Sequence, residues 1–508
     1  MAQNSQGTVR SSAIAIPFLG VLGAVQGAAP NISSTALVGA SRALEMSGSL
    51  LALAASMQTL AIAATVISTG LLADRIGRRK LLMAALIVGC CGQLLVAIAP
   101  VPAFYLLGQA VTGVGLGAVY GAAFAYVRAV AKPGALPQAL GLFTAVVGIG
   151  TIVFTFLGGS LSSIDWRLSY LVITVMSVIM FLLVPVVLPP QEKIRGERSD
   201  VTGQFLLGVG IVAFLYGVTQ LGHSLTSPTT LGPIVIGVVL WIAFYIVERR
   251  SSHAFFPVEL FRQPVFLAAI LAGFVYNFGL AVAFLQVTNL WQYVTGLTTL
   301  EVSLWQLPLM LAGIVAALVF GRLMGRGMSN RTALLIGGVT TAVGYVLLGL
   351  GHSSTSLIGF LPGLIVIGAG VLTCAIPFGN LILKEAPAKF FGPVTSARTT
   401  IGQLFYSMGF ALATVAIDKL TLGGTVKRLE AAGVQPNEIG TALDAVNAYA
   451  SASTSPDTSL GKQALATAEV SYATAFQTTM FVAGLLVLLA TIGGVLLLRR
   501  GEGREHPE

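Results

Sequence analysis

The stretch GLLADRIGRRKLL (70–82) concentrates charge: five of the seven residues from Asp74 to Lys80 are ionised, in a chain whose charged share is 9%. The chemistry these types and this spacing allow is ion pairing. Arg78 follows Asp74 by four residues, one helical turn, with Arg75, Arg79 and Lys80 beside it and Gly70 and Gly77 as flanking small residues. No other cluster supports catalysis. The chain has no nucleophile elbow, no metal-ligand cluster and no phosphate-binding glycine loop, so neither an enzyme nor a cofactor is expected. GVGLGA (113–118) has dinucleotide-loop spacing, but it lies inside a long apolar run with no strand before it, which fits close helix packing better. Without a P-loop, an ATP-driven motor on this chain is excluded.

The elements that position the charged stretch follow from composition. Of 508 residues, 55% are hydrophobic, and mean hydropathy is +0.88. Soluble domains carry about 25% charged residues, so hydrocarbon is the expected solvent. The formal charge of +9 does not indicate nucleic acid, because the cations come in small groups between apolar runs. Cys90, Cys91 and Cys374 lie within such runs, and core packing is expected of them.

A span needs about 20 mostly apolar residues. Fourteen segments qualify: 12–30, 50–73, 81–100, 103–127, 139–161, 168–189, 204–222, 231–248, 265–288, 303–324, 332–350, 356–381, 394–417 and 477–498. The first, with Arg10 before it and the small run Gly27–Ala29 near its end, also fits a signal-peptide pattern. An even number of crossings puts both termini on one side. That side holds 21 of the 28 Lys and Arg residues, and the positive-inside rule makes it the cytoplasm.

GRLMGRGMSNRTALL (321–335) echoes GLLADRIGRRKLLMA (70–84), with Gly325 where Asp74 would stand. Repeats of this kind are a transporter habit. They suggest an all-α integral membrane fold of two six-helix lobes, 1–190 and 264–508, with two inserted helices and linkers at 191–263. The segment 418–476 reads as a long outer loop containing helical patterns, either a surface hairpin or a lid over an outer opening.

Gly70-x-Leu72-Ala73-Asp74-Arg75-x-Gly77-Arg78-Arg79 resembles the loop signature of the major facilitator superfamily. Fourteen spans with a paired central insertion are similar to its drug:proton antiporter branch. So are PVELFRQPVF (257–266) before the ninth span and DWRLSYL (165–171) before the sixth. The resemblance implies multidrug-type export by alternating access, with this loop latching the cytoplasmic side. Asp74 paired with Arg128 or Arg78 is the expected latch.

Departures from the family pattern bear on coupling. In span five Gly141, Gly150, Gly158 and Gly159 keep the antiporter spacing, but Phe154 and Thr155 replace the central Gly-Pro. Gln109 stands where span four of the family has arginine. Span one offers Gln26 where the branch has aspartate. No Asp, Glu or His occupies the middle of a span; His223, His253, His352 and His506 fall in loops or the tail. Proton coupling needs a group that changes charge. The remaining carboxylates for it are Glu301, at the outer start of span ten, and Asp165, outside span six; Asp74 is a third, but it has the expected latch role.

Polar residues within the spans are the expected cavity lining: Gln26, Gln58, Gln109, Tyr276, Asn277, Gln286, Asn289, Trp291, Asn380, Gln403 and Tyr406. Each could instead hold a neighbouring helix. A cavity of amides and aromatics without fixed charge suits apolar or amphipathic molecules, drug-like or lipid-like, and grips phosphates or sugar acids poorly. Two functions remain open. One is an exporter driven by protons or by the substrate gradient. The other is a transporter-shaped protein acting as a sensor, scaffold or lipid-binding partner.

Overall fold

The computed structural model describes residues 3–46, 48–190, 201–221, 226–251, 254, 256–297, 299–351, 357–387, 390–452 and 457–502. The linker 191–200 with Lys193, Arg195 and Arg198, and also Lys389, Arg504 and all four histidines, lie outside the described residues. Within them no strand occurs. Fifteen α-helices follow one another: α1 (Gln3–Ala43), α2 (Gly48–Ile76), α3 (Arg78–Ala97), α4 (Pro102–Val130), α5 (Leu136–Ser162), α6 (Trp166–Val187), α7 (Val201–Gln220), α8 (Pro228–Arg250), α9 (Pro264–Tyr293), α10 (Thr299–Gly325), α11 (Asn330–Gly351), α12 (Leu361–Glu385), α13 (Phe391–Ala431), α14 (Pro436–Ala452) and α15 (Ser459–Glu502). All but α14 are long and apolar enough to cross a membrane, fourteen in number. Helices are the required form here, because hydrocarbon offers no partner to an unpaired backbone N–H or C=O.

The helix ends are set locally. Proline opens α4, α8 and α9, where its missing N–H has no intrahelical partner to lose. Asp165 caps α6, its carboxylate accepting the Arg167 N–H at 2.8 Å. Gly77 separates α2 from α3 at φ 93°, a left-handed conformation that a side chain would strain. On α8, Val235, Ile236, Val239 and Ile242 are each more than half exposed, as expected where lipid is the solvent.

The packing sorts the spans into two bundles. In the first, α1 packs on α5, α4 and α6, α3 on α4 and α6, and α2 on α4. In the second, α9 packs on α13, α12 and α15, α11 on α12 and α15, and α10 on α12. The two sets of pairs are the same once α1–α6 are matched to α9–α13 and α15. The bundles meet along two seams, α2 with α13 and α5 with α10. The inserted α7 lies over the first seam, where Ile211 and Leu215 join Leu60 and Ala63 of α2 in one apolar cluster that Leu404 of α13 packs against. α8 packs on α7.

Glycines allow the close approaches. In α4, a Cβ on Gly113 would run into the Gln58 carbonyl of α2, and one on Gly115 into Gly89 of α3. GVGLGA is thus a helix-packing stripe. Gly20, Gly23 and Gly27 of α1 abut Val146, Val147 and Thr151 of α5, while Gly150 and Gly158 of α5 abut Ala24 and Ile32. The first span is therefore built into the bundle, beyond what a signal peptide needs.

The expectation for 418–476 is refined and that for the cysteines corrected. The segment, read as an outer loop with helical patterns, carries such helices: α13 and α15 extend past their apolar stretches on either side of α14, with Leu429, Ala442 and Ala464 forming a small core of their own. Arg428 ties the extension together by donating to Ser471 Oγ at 2.7 Å. Of the cysteines only Cys374 is buried; Cys91 is exposed and Cys90 intermediate, on the surface that apolar residues of α3 such as Ile87 and Leu94 also share.

Candidate functional site

The charged stretch lies where α2 ends against the start of α13. Gly70 is one turn earlier on α2, and a Cβ there would collide with Ser396 Oγ and the Gly392 carbonyl. The absence of side chains at Gly70 and Gly392 lets the helices touch, and the contact delivers Asp74 to the amino terminus of α13. The Asp74 carboxylate is 6% exposed. Its Oδ1 meets Arg78 Nη2 at 3.0 Å, and its Oδ2 accepts the Gly392 backbone N–H. Gly392 is the second residue of α13, so one carboxylate satisfies an in-bundle guanidinium and an orphan amide at the positive end of a helix in the other bundle.

The arginines add contacts at the same seam. The Arg78 guanidinium lies 4.6 Å from the Phe391 ring centroid, and that of Arg128 lies 5.2 Å from it. Arg128 Nη1 donates to the Leu383 carbonyl at the end of α12. Of the two expected partners for Asp74, the structure chooses Arg78; Arg128 crosses to the second bundle instead, because α4 delivers it over α12 and Phe391. Arg75 and Arg79 are half-buried beside them.

At the second seam Gly321 of α10 touches Gly141 and the Pro137 carbonyl of α5, and Gly325 abuts the Gln138 side chain. Gly141, the first glycine of the expected span-five motif, thus serves the contact between bundles, whereas Gly150 and Gly158 serve the contact with α1.

Above the first seam, farther into the bundle, lies Arg398. It sits seven residues into α13, about 10 Å along the helix, and is 5% exposed. Nη1 donates to Tyr120 OH of α4 at 2.8 Å. The guanidinium carbon is 4.3 Å from the Phe124 ring centroid of α4 and 5.0 Å from that of Phe378 of α12. Among the described residues no carboxylate pairs with it, and its Nε has no partner. A charge at the centre of a membrane helix costs about 2.5–3.5 kcal/mol on insertion scales. The two rings, from opposite bundles, and one hydroxyl offset part of that. The expectation of an interior without fixed charge is corrected accordingly. The sequence signal was available: a lone arginine inside an otherwise apolar span is a functional-site indicator by default.

The expected lining residues separate into groups. Tyr276 is within electrostatic reach of Arg398, Tyr120 and Tyr406. Asn277 faces Gly402 of α13, and it, Tyr276, Gln403 and Tyr406 are all half-buried. Gln58 and Gln109 are turned inward within the first bundle, sharing Ser33 Oγ of α1 at 3.2 and 3.1 Å. Gln26 is buried on α1. Gln286 donates to Thr414 Oγ1 at 2.9 Å and accepts from Asn289, holding α9 to α13. Asn380 donates to Asn330 at 2.9 Å, holding α12 to α11. Trp291 is fully buried, edge-on to Phe360 at 5.7 Å, and is a core residue because α9 turns it away from the other bundle. Gln306, not anticipated, ties α10 to the Phe284 carbonyl of α9 at 2.8 Å. Gln93 is fully buried with neither amide atom paired, and nothing in the structure explains it. The two expected proton carboxylates, Asp165 and Glu301, are both exposed at helix starts on the face opposite Asp74.

Comparisons with known proteins agree with this architecture. The profile of the Major Facilitator Superfamily matches residues 19–410. The multidrug resistance protein Stp of Mycobacterium tuberculosis is 30% identical over 370 residues, 70% of this chain and 66% of Stp; the chain thus spans just under two thirds of that relative. The puromycin resistance protein pur8 of Streptomyces alboniger is 27% identical over 386 residues, 74% of this chain and 75% of pur8. Among solved structures, the proton:xylose symporter XylE superposes with a TM-score of 0.60 at 11% identity, covering 96% of this chain and 95% of XylE. The human organic anion transporter MFSD10 gives 0.60 at 14%, covering 94% and 99%. At these identities the solved structures speak for the fold alone. Two matched bundles of membrane-length helices and a family profile that matches most of the chain make this multi-pass membrane protein one that belongs to the Major Facilitator Superfamily.

Proposed function

We propose that the protein exports hydrophobic or amphipathic small molecules, drug-like or lipid-like, by rocking the bundles at 1–190 and 264–508 about a central cleft. The basic face is assigned to the cytoplasm on the Lys and Arg asymmetry, and the bacterial plasma membrane is the proposed location. The single observation that carries the reading is the Asp74 carboxylate shared between Arg78 and the Gly392 amide. It joins the bundles at one end only through contacts that rigid rotation would break without unfolding either bundle. The arrangement described is then the one closed toward the cytoplasm. A static scaffold has little use for such a contact, whereas alternating access requires one. The relatives named for multidrug and puromycin resistance support the direction and the substrate type.

The coupling ion is not indicated by a buried carboxylate in mid-span. The test is reconstitution of the full chain in liposomes with an imposed pH gradient and a panel of fluorescent amphiphiles. Uphill movement driven by the gradient establishes proton antiport, and equilibration indifferent to it establishes facilitation. No movement of any probe, from protein that remains folded, overturns transport in favour of a sensor or lipid-binding role.

A further inference from the structure

We propose that Arg398 is the head-group site of the cleft and that the substrates include amphipathic acids: molecules with an apolar body and a single carboxylate, sulfonate or phosphate head. This inference deepens the transporter reading above and rests on it for its physiological meaning, though not for its test.

The geometry points there by elimination around the guanidinium. Its faces are covered by Phe124 and Phe378 at 4.3 and 5.0 Å. Nη1 is taken by the Tyr120 hydroxyl. Nε is dry and unpartnered, and Nη2 donates to nothing among the described residues. The Nε–Nη2 edge is the side of a guanidinium that grips a carboxylate or phosphate with two parallel N–H···O bonds, a geometry lysine cannot reproduce. Gly379 packs on this side, where even a Cβ would stand 3.6 Å from Nε and 3.2 Å from the Phe124 ring, so that ring helps to cover the edge while the bundles are closed. Tyr276 is within electrostatic reach of the guanidinium, and its hydroxyl can donate to the same anion.

The site also has a means of opening. Phe124 belongs to the first bundle, while Phe378 and Arg398 belong to the second. Parting the bundles withdraws Phe124 and Tyr120 together, which uncovers one face and frees Nη1. An anion would then replace a neutral phenol and a ring, and closing the bundles again would have to expel it. A cation in hydrocarbon with only neutral neighbours favours an anionic ligand over a neutral one of the same shape. A cationic amphiphile would meet like charge.

The experiment uses the detergent-solubilised full chain and three matched probes: dansyl-labelled undecanoic acid, its methyl ester and the corresponding undecylamine. Binding is read from dansyl fluorescence, and flux from the same probes in liposomes. The wild type is expected to bind the acid at least about tenfold more tightly than the ester, a gap of about 1.4 kcal/mol, and the amine most weakly. In Arg398→Gln the acid-to-ester ratio should fall to near one; in Arg398→Lys it should be intermediate. Tyr120→Phe, which keeps the ring, should change the ratio far less. Liposomes with and without phosphatidylglycerol distinguish the source of the acid. Competition by that lipid assigns the site to a bilayer head group, and its absence to a soluble amphiphile. A wild-type protein that binds the ester or the amine as tightly as the acid overturns the proposal without any variant, and so does an Arg398→Gln protein that keeps the wild-type ratio. If the acid binds in detergent but no probe moves in liposomes, the site stands and the transporter reading fails.

Discussion

The two seams between the bundles are built from related sequence and differ in what they hold. At the first, Gly70 and Gly392 bring α2 onto α13, and Asp74 reaches across to the amino terminus of α13. At the second, Gly321 and Gly141 bring α10 onto α5, but Gly325 occupies the place of Asp74 and meets Gln138 near the start of α5. Both use glycine to let backbones touch. Only the first adds charge. A close approach is enough to align two bundles, but a contact that must hold and release benefits from an ion pair, whose strength depends on keeping water out. The first seam is also the one that α7 overlies.

The strongest test of the shared part is steric. Gly70→Leu and Gly321→Leu are each expected to reduce flux in liposomes to background while the protein stays monodisperse, because overpacking costs about 1–3 kcal/mol and here it falls on the closed state. If only one variant does so, the seams are not mechanical equivalents. Next comes the part that differs. Asp74→Asn keeps the shape and an acceptor for Gly392 but removes the charge, a loss of about 1.5–3 kcal/mol for a charged hydrogen bond. Flux should fall roughly tenfold, and a cysteine placed at Ser396 should react faster with a water-soluble maleimide applied from the basic face. Unchanged flux and labelling would reduce the charged stretch to an orientation signal.

Moving the charge sharpens the comparison further. Gly325→Asp on the Asp74→Asn background puts a carboxylate at the amino terminus of α5, where it is worth about 0.3–2 kcal/mol. Partial recovery of flux is expected, and a further loss would mean that the seams tolerate charge differently. The smallest effect should come from Gln138→Ala. A neutral side chain against a glycine is expected to change stability by less than about 0.5 kcal/mol, seen as an unchanged melting curve and flux within a factor of two or so.

Much of this was legible in the sequence because the solvent is hydrocarbon. With water absent, a run of about 20 apolar residues has one available structure, so fourteen spans, the even crossing number and the echo of 70–84 in 321–335 could be read directly. The need of Asp74 for a cationic partner was also local knowledge. Which residues met was not. Arg78 rather than Arg128 took the carboxylate, and Gly392, 318 residues away, supplied the amide. The polar residues show the same limit. A glutamine within a span is equally able to line a cleft or to hold a neighbouring helix. Gln109 and Gln286 did the latter because Ser33 and Thr414 happened to face them.

The sequence by itself determined the medium, the number of membrane-length spans and the side on which the cations gather, because each depends on hydropathy and charge counted along the chain. Only the tertiary structure decided that Arg398 faces two rings and a phenol drawn from different helices and both bundles, with no carboxylate in reach. A charge's surroundings are a sum over neighbours in space, and two of the helices that supply them here, α4 and α9, are far from it in sequence.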